Sequence, residues 1–322
     1  MGRIGKIHLE NLCTKINGTE VVAVVNPSQK GRDFAVGYGV KQLSDDAETI
    51  FGNPEIDVVL ICSPSATHAD YAIRAAEAGK AIFCEKPIDM SLERAKEVME
   101  KVKENKVSMM VAFNRRFDPD FEKVQKAVSK GQIGKPLSLH LISRDPGPPP
   151  VSYLKESGGL FRDMTIHDFD MARFIMGSKI VEVYATGDCL IDPEIGEVGD
   201  IDTAMVLLRF ENGAKAVIEG SRKTVYGYDQ RLEIFGTQGV LRIENPYRTN
   251  VYSVSENGTS SDLNLDFFMD RYETSYLREM EDFIAAIREA KPIPITGEDG
   301  IAAMQIAEAA YRSLEENRPI RV

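Results

Sequence analysis

The stretch Met1-Gly2-Arg3-Ile4-Gly5-Lys6-Ile7-His8, MGRIGKIH, decides how the chain that follows is read. Gly2-Arg3-Ile4-Gly5 is the back half of G-x-G-x-x-G, the fingerprint that opens a dinucleotide-binding βαβ unit. In the full pattern a buried strand enters the first glycine, which makes a tight turn. The second glycine lets the backbone approach a pyrophosphate, and the third lets helix and sheet pack closely. Here the lead-in strand and the first glycine are not in the sequence. That strand would lie at the centre of the sheet, bonded on both sides. Its loss would leave two unpaired edges and forfeit four or five buried side chains at roughly 1.5–3 kcal/mol each. The sum rivals a whole domain's stability of about 5–15 kcal/mol. The expectation is a truncated start, with about ten natural residues upstream that end near xIGVIGxG.

Outward from that stretch, strand-like and helix-like runs alternate. EVVAVVN (20–26), IDVVLICSP (56–64), AIFCEKP (81–87) and SMMVAFN (108–114) are apolar and rich in β-branched residues, as strands covered on both faces should be. THADYAIRAAEAG (67–79) and SLERAKEVMEKVKENK (91–106) read as helices between them, the second opened by Ser91 with Glu93 in its first turn. Such alternation means parallel βαβ units. Beyond Asn114 the pattern changes. A helix over 119–130, the strand PLSLHLISRD, the loop PGPPP and a helix over 159–176 lead into five closely spaced strand-like runs with ENG and TQG turns. Two long helices, 272–290 and 299–317, close the chain. The fold expected is α/β. A Rossmann-type parallel sheet over residues 1–113 precedes an α+β domain over 114–322, built on an open, mainly antiparallel sheet.

The chain has 322 residues and a formal net charge of −11, with no basic stripe. That argues against nucleic acid and anionic membranes as partners, because both need clustered Lys and Arg. The 4 cysteines stand singly, so no disulfide framework is expected. No apolar run reaches membrane-span length and nothing resembles a signal peptide, which makes the cytoplasm the default location.

Asn26 stands 21 residues after Gly5, at the end of the next strand, where an acidic residue usually holds the adenosine ribose. An amide accepts ribose hydroxyls without repelling a 2′-phosphate, and Ser28 and Lys30 lie near it. NAD is the first choice of cofactor and NADP the second. Lys86 ends a parallel strand, where ligands bind, and an ammonium there can stabilise the alkoxide that hydride removal requires. Asp163 and His167 are four residues apart on a helical pattern, so their side chains can meet. A carboxylate against one imidazole nitrogen fixes the tautomer and leaves the other as a base. The bland alternative is a surface ion pair. Asp163, His167 and Asp170 could also serve as hard metal ligands, but no cysteine or second histidine joins them, and no metal is expected.

GRIGKIH, CEKP, FNRRFD, SRDPGPPP, GGLFRDMTIHDFDMARF and YGYDQR, in this order, resemble the glucose–fructose oxidoreductase/inositol 2-dehydrogenase family along essentially the whole chain. The resemblance departs at the absent first strand and glycine and at Asn26. It implies a nicotinamide-dependent dehydrogenase with a Lys–Asp–His trio: His167 takes the hydroxyl proton, Asp163 partners it, and Lys86 polarises the hydroxyl. It implies cofactor contacts from Gly2, Arg3, Ile4, Gly5, Asn26, Ser63, Pro64, His68, Glu85 and Lys86. Arg115, Asp145, Asp170 and Tyr228 match polyol-contacting positions, beside Lys86 and His167. Arg, Asp and Tyr supply the alternating donors and acceptors that a ring of hydroxyls needs. No arginine cluster awaits a carboxylate or phosphate, so the expected substrate is a neutral cyclic polyol, oxidised to a ketone. The sheet of the second domain implies a homo-oligomer, dimer or tetramer. Two rival readings stand beside this one. An aldose dehydrogenase would use the same trio, and a non-catalytic regulatory or assembly protein would keep the fold with a defective cofactor site.

Overall fold

The computed structural model describes residues Met1–Val322 and divides into two compact units. The first is Met1–Phe117 together with Thr274–Ala302, and the second is Asp118–Glu273 together with Ala303–Val322. The chain thus returns to its first unit late, a step that linear order does not display.

In the first unit, β1 (Ala23–Val25) pairs in parallel with β2 (Gln42–Ser44). A second parallel sheet has the order β3 (Val58–Ile61), β4 (Ala81–Glu85), β5 (Met109–Ala112). These are the two flanks of a Rossmann-type sheet, and no strand bonds β1 to β3. The helix Arg3–Thr14 lies beside them and buries His8, Leu9 and Asn11. Leu9 joins Ala35 and Val40 in a small core that Val24 and Leu43 extend. The second sheet carries the larger core: Ile82, Phe83 and Cys84 are wholly buried, as are Val98 and Met110. Ser91 caps the helix Leu92–Asn105, its side chain accepting from Arg94 N, as the sequence pattern predicts. The returning segment packs here too. Phe283 lies 5.4 Å from Phe83, centroid to centroid, and Val111 N donates to Ile295 O.

The second unit is built on seven strands in the order β11-β10-β6-β9-β8-β7-β14. They are β6 (Pro136–Arg144), β7 (Ile180–Asp188), β8 (Thr203–Phe210), β9 (Lys215–Ser221), β10 (Asp229–Gly236), β11 (Gly239–Ile243) and β14 (Ile320–Arg321). Only β6 and β9 run parallel; every other pairing is antiparallel. Along β8 buried and exposed residues alternate, the period of a sheet with one covered face. Helix Ile166–Met176 packs against β6 on that face, while Met205, Leu207 and Phe235 are exposed. A separate hairpin pairs β12 (Tyr252–Ser255) with β13 (Gly258–Ser261).

The sequence patterns do not show this hairpin, nor the helix Val151–Ser157 after the proline loop. The continuous helix expected over 159–176 is two helices, Gly159–Asp163 and Ile166–Met176. Met164 N and Thr165 N both bond Leu160 O, which ends one helix, and Thr165 O receives Asp168 N and Phe169 N, which begins the next. The four cysteines are free, and no helix is long and apolar enough to cross a membrane.

Candidate active site

In the first unit, Gly2 is the N-cap of helix Arg3–Thr14. A Cβ placed on Gly2 would meet nothing within 4 Å, so the space beside its backbone is open. At Gly5 a Cβ would lie 3.3 Å from Met1 Cγ and at ordinary contact distance, 3.6 Å, from Cys62 Cβ just after β3. The helix thus meets the sheet at the place of the third fingerprint glycine. Asn26 directly follows β1. Its Oδ1 accepts from Ser28 N at 3.1 Å and from Ser28 Oγ at 2.9 Å, and Ser28 Oγ in turn accepts from Gly31 N to cap the next helix. Asn26 Oδ1 also stands where a Cβ on Gly31 would fall, at 2.2 Å, so only glycine fits there without displacing the amide.

Ser63 and Pro64 lie in the loop after β3, and His68 opens the helix His68–Glu77 that follows it. His68 is 1% exposed, with Nδ1 2.7 Å from Pro87 O and Nε2 2.9 Å from Ser63 O. The ring ties that loop to the end of the CEKP stretch. Glu85 and Lys86 sit at the carboxyl end of β4, both half-buried. Glu85 faces His8 and Glu279, and one imidazole nitrogen and two carboxylate oxygens lie within 4.8 Å of one another, a grouping spread over three segments that spacing does not reveal. Arg115, 4% exposed, lies in the turn Asn114–Phe117.

In the second unit, Asp145 follows β6 and its N donates to Ser221 O on β9. Asp170 is buried on helix Ile166–Met176. Tyr228 is buried just before β10, its ring edge-on to Phe267 at 5.7 Å and to Tyr272 at 6.0 Å. Asp163 ends one helix and His167 lies in the first turn of the next, so the two do not share one helical face. Asp163 Oδ1 accepts from Tyr153 Oη at 2.9 Å. Its Oδ2 accepts from Arg222 Nη1 at 3.3 Å, and the other arm of that guanidinium reaches Asp200 Oδ2 at 3.1 Å. Tyr153, Asp200 and Arg222 escape sequence reasoning. The available signals were an arginine directly after the strand-like run AKAVIEGS and the acidic pair in GDID before β8.

The glycines of GGLFRD have a physical reason. Gly158 and Gly159 both have positive φ, and a Cβ on Gly159 would stand 2.3 Å from Tyr311 Oη and 2.7 Å from Asp200 Oδ1. Tyr311 Oη donates to Gly158 O and accepts from Phe161 N. Burial and Asp200 push this phenol well above its ordinary value, so it stays a donor.

A parallel sheet opened by half a glycine fingerprint, with a lysine at a strand end, and an aspartate and a histidine on successive helices of the second unit fit a nicotinamide-dependent oxidoreductase. Residues 1–113 match the description "Oxidoreductase family, NAD-binding Rossmann fold", and residues 125–322 match "Oxidoreductase family, C-terminal alpha/beta domain". The chain belongs to this GFO/IDH/MocA family. It is 44% identical over 324 residues to a myo-inositol 2-dehydrogenase of Thermotoga maritima, covering 100% of this chain and 96% of the relative. It is 45% identical over 322 residues to an inositol 2-dehydrogenase of Rhizobium meliloti, covering 100% and 97%. Among solved structures, a probable dehydrogenase from Thermotoga maritima superposes with a TM-score of 0.97 at 44% identity, covering 99% and 96%. A scyllo-inositol dehydrogenase from Lactobacillus casei, solved with NAD(H) and scyllo-inositol, superposes with a TM-score of 0.93 at 31% identity, covering 100% and 96%.

Proposed function

We propose that the protein oxidises one secondary alcohol of a cyclic, inositol-like polyol to the ketone, with NAD as the hydride acceptor. The observation that carries this reading is an Asp163 carboxylate held by Tyr153 and Arg222 next to the helix of His167. It occurs in a chain 44% and 45% identical over its full length to proteins named inositol 2-dehydrogenase.

The open space at Gly2 and the helix–sheet contact at Gly5 fit a dinucleotide on the first unit. Gly2, Arg3, Ile4 and Gly5 would hold its pyrophosphate and Asn26 its adenosine ribose. Ser63, Pro64, His68, Glu85 and Lys86 would border the rest, His68 by bracing the loop. A nicotinamide dinucleotide bound there would supply the hydride acceptor for the carbinol carbon. His167 removes the hydroxyl proton as general base. Asp163 fixes the tautomer and stabilises the imidazolium that forms. The Lys86 ammonium donates to the same oxygen and stabilises developing alkoxide charge. Arg115, Asp145, Asp170 and Tyr228 orient the remaining hydroxyls, and orientation lowers the barrier by removing reactant freedom before the chemical step. Because the Asn26 amide does not repel a 2′-phosphate, NADP is a second acceptor.

The test is a panel of myo-inositol, scyllo-inositol, glucose and xylose with NAD and with NADP, read by nicotinamide absorbance. Turnover of an inositol with NAD is expected. Turnover confined to the aldoses would replace the substrate assignment, and failure to bind NAD(H) would overturn the reading.

A further inference from the structure

We infer that Arg222 is a positioning residue for the acid–imidazole pair, acting through Asp163; this rests on the catalytic reading of Asp163 above. Its guanidinium is 1% exposed and spans two carboxylates, with Nη1 3.3 Å from Asp163 Oδ2 and Nη2 3.1 Å from Asp200 Oδ2. Asp163 is thereby held on both oxygens, since Tyr153 Oη donates to Oδ1. A carboxylate held from two directions keeps one orientation, and orientation is what a group that fixes an imidazole tautomer must supply.

The tether runs back into the same short helix. Asp200 Oδ1 accepts from Leu160 N at 2.9 Å, so Arg222 grips the helix Gly159–Asp163 at its last residue directly and near its start through Asp200. Tyr311 pins Gly158 O just before the helix and Phe161 N within it. Arg222 is itself fixed by its backbone, its N donating to Asp202 O at 2.8 Å just before β8. The five-residue helix has too few internal bonds to hold its own place, and these external bonds locate it.

Charge supports the same role: Arg222 sets one buried guanidinium between two carboxylates, where an acid without a counter-charge would be costly.

The experiment measures kcat, the KM for the polyol, and NADH binding by fluorescence titration for R222M, R222K, D200N, D163N and the double variant R222M/D163N. R222M is expected to lower kcat about 100-fold, the cost of a small misplacement of a reacting group, while polyol KM changes by less than about threefold and NADH binding is retained. R222K should recover part of the loss. Because Arg222 acts through Asp163, the double variant should be no slower than D163N alone within about twofold. D200N keeps the acceptor for Leu160 N but loosens Arg222, and should lower kcat about tenfold with KM unchanged. It decides the matter if R222M does not fold. Wild-type kcat in R222M or D200N, or losses that multiply in the double variant, would overturn the inference alone. Wild-type kcat in D163N would overturn both the inference and the catalytic reading beneath it.

Discussion

His8 Nε2 stands 3.2 Å from Glu85 Oε1 and 3.9 Å from Glu279 Oε1, and it joins the fingerprint helix to the end of β4 and to the returning helix Glu273–Arg288. The imidazole is 1% exposed and Glu279 is wholly buried. Phe83 and Tyr276 enclose the imidazole edge-on, at 5.1 and 5.9 Å. Neither Glu279 oxygen has a hydrogen-bond partner. Burial first, and then the Glu85 charge, push the Glu279 carboxyl well above its ordinary value of 4.5. Cys62, raised for the same two leading reasons, stays a neutral thiol and adds no charge.

The pH dependence of stability follows from that geometry. A carboxyl whose folded-state pKa is raised contributes stability that is complete below the unfolded value, near 4.5, and is lost as pH rises through the folded value. Glu279→Gln cannot ionise. Its thermal midpoint should match wild type near pH 4.5 and exceed it increasingly toward pH 8, by about 2 °C for each kcal/mol regained. Thermal denaturation of both proteins across that range checks this, and parallel curves would refute it.

His167→Ala should lower kcat by a factor of about 10²–10⁴, the usual worth of a general base. NADH binding should persist, because the residues assigned to the cofactor lie in the other unit. Steady-state rates with a fluorescence titration separate the two effects. A near-wild-type rate would remove His167 from the chemistry.

Lys86→Ala should lower kcat by about 10²–10³, the cost of losing one donor to a developing oxyanion. If only the KM for the polyol changed, Lys86 would be a binding group with no role in the transition state.

Asn26→Asp tests cofactor choice. Its Oδ1 now accepts from Ser28 N and Oγ, and a carboxylate can accept the same two bonds, so the local fold should hold. The new charge would face the 2′-phosphate of NADP, and like charges brought together cost several kcal/mol. The ratio of kcat/KM for NAD over NADP should rise at least about tenfold. An unchanged ratio would place the adenosine ribose elsewhere.

Much of the architecture was legible in the sequence because it rests on local patterns. The apolar runs ending in Asn26, Pro64, Pro87 and Asn114 mark β1, β3, β4 and β5, and Ser91 caps its helix. The ENG and TQG turns mark the β8–β9 and β10–β11 hairpins. Periodicity failed at 159–176, because the break at Met164–Thr165 carries no proline and is made by backbone bonds onto Leu160 O that leave the apolar spacing unchanged. The hairpin β12–β13 was missed because all eight of its residues are exposed, so no buried face imposed a period on them.

The sequence alone determined the βαβ alternation, the strand-end lysine, and an aspartate and histidine near one another in the chain. Each depends on neighbours within a few residues, where backbone geometry dictates what can meet. Only the tertiary structure decided that Arg222 would hold Asp163 across 59 positions, or that Glu85 would face His8 across 77. Nothing in the spacing of such residues encodes their meeting. Packing brings them together, and burial then makes each unpaired charge costly enough that its partners matter.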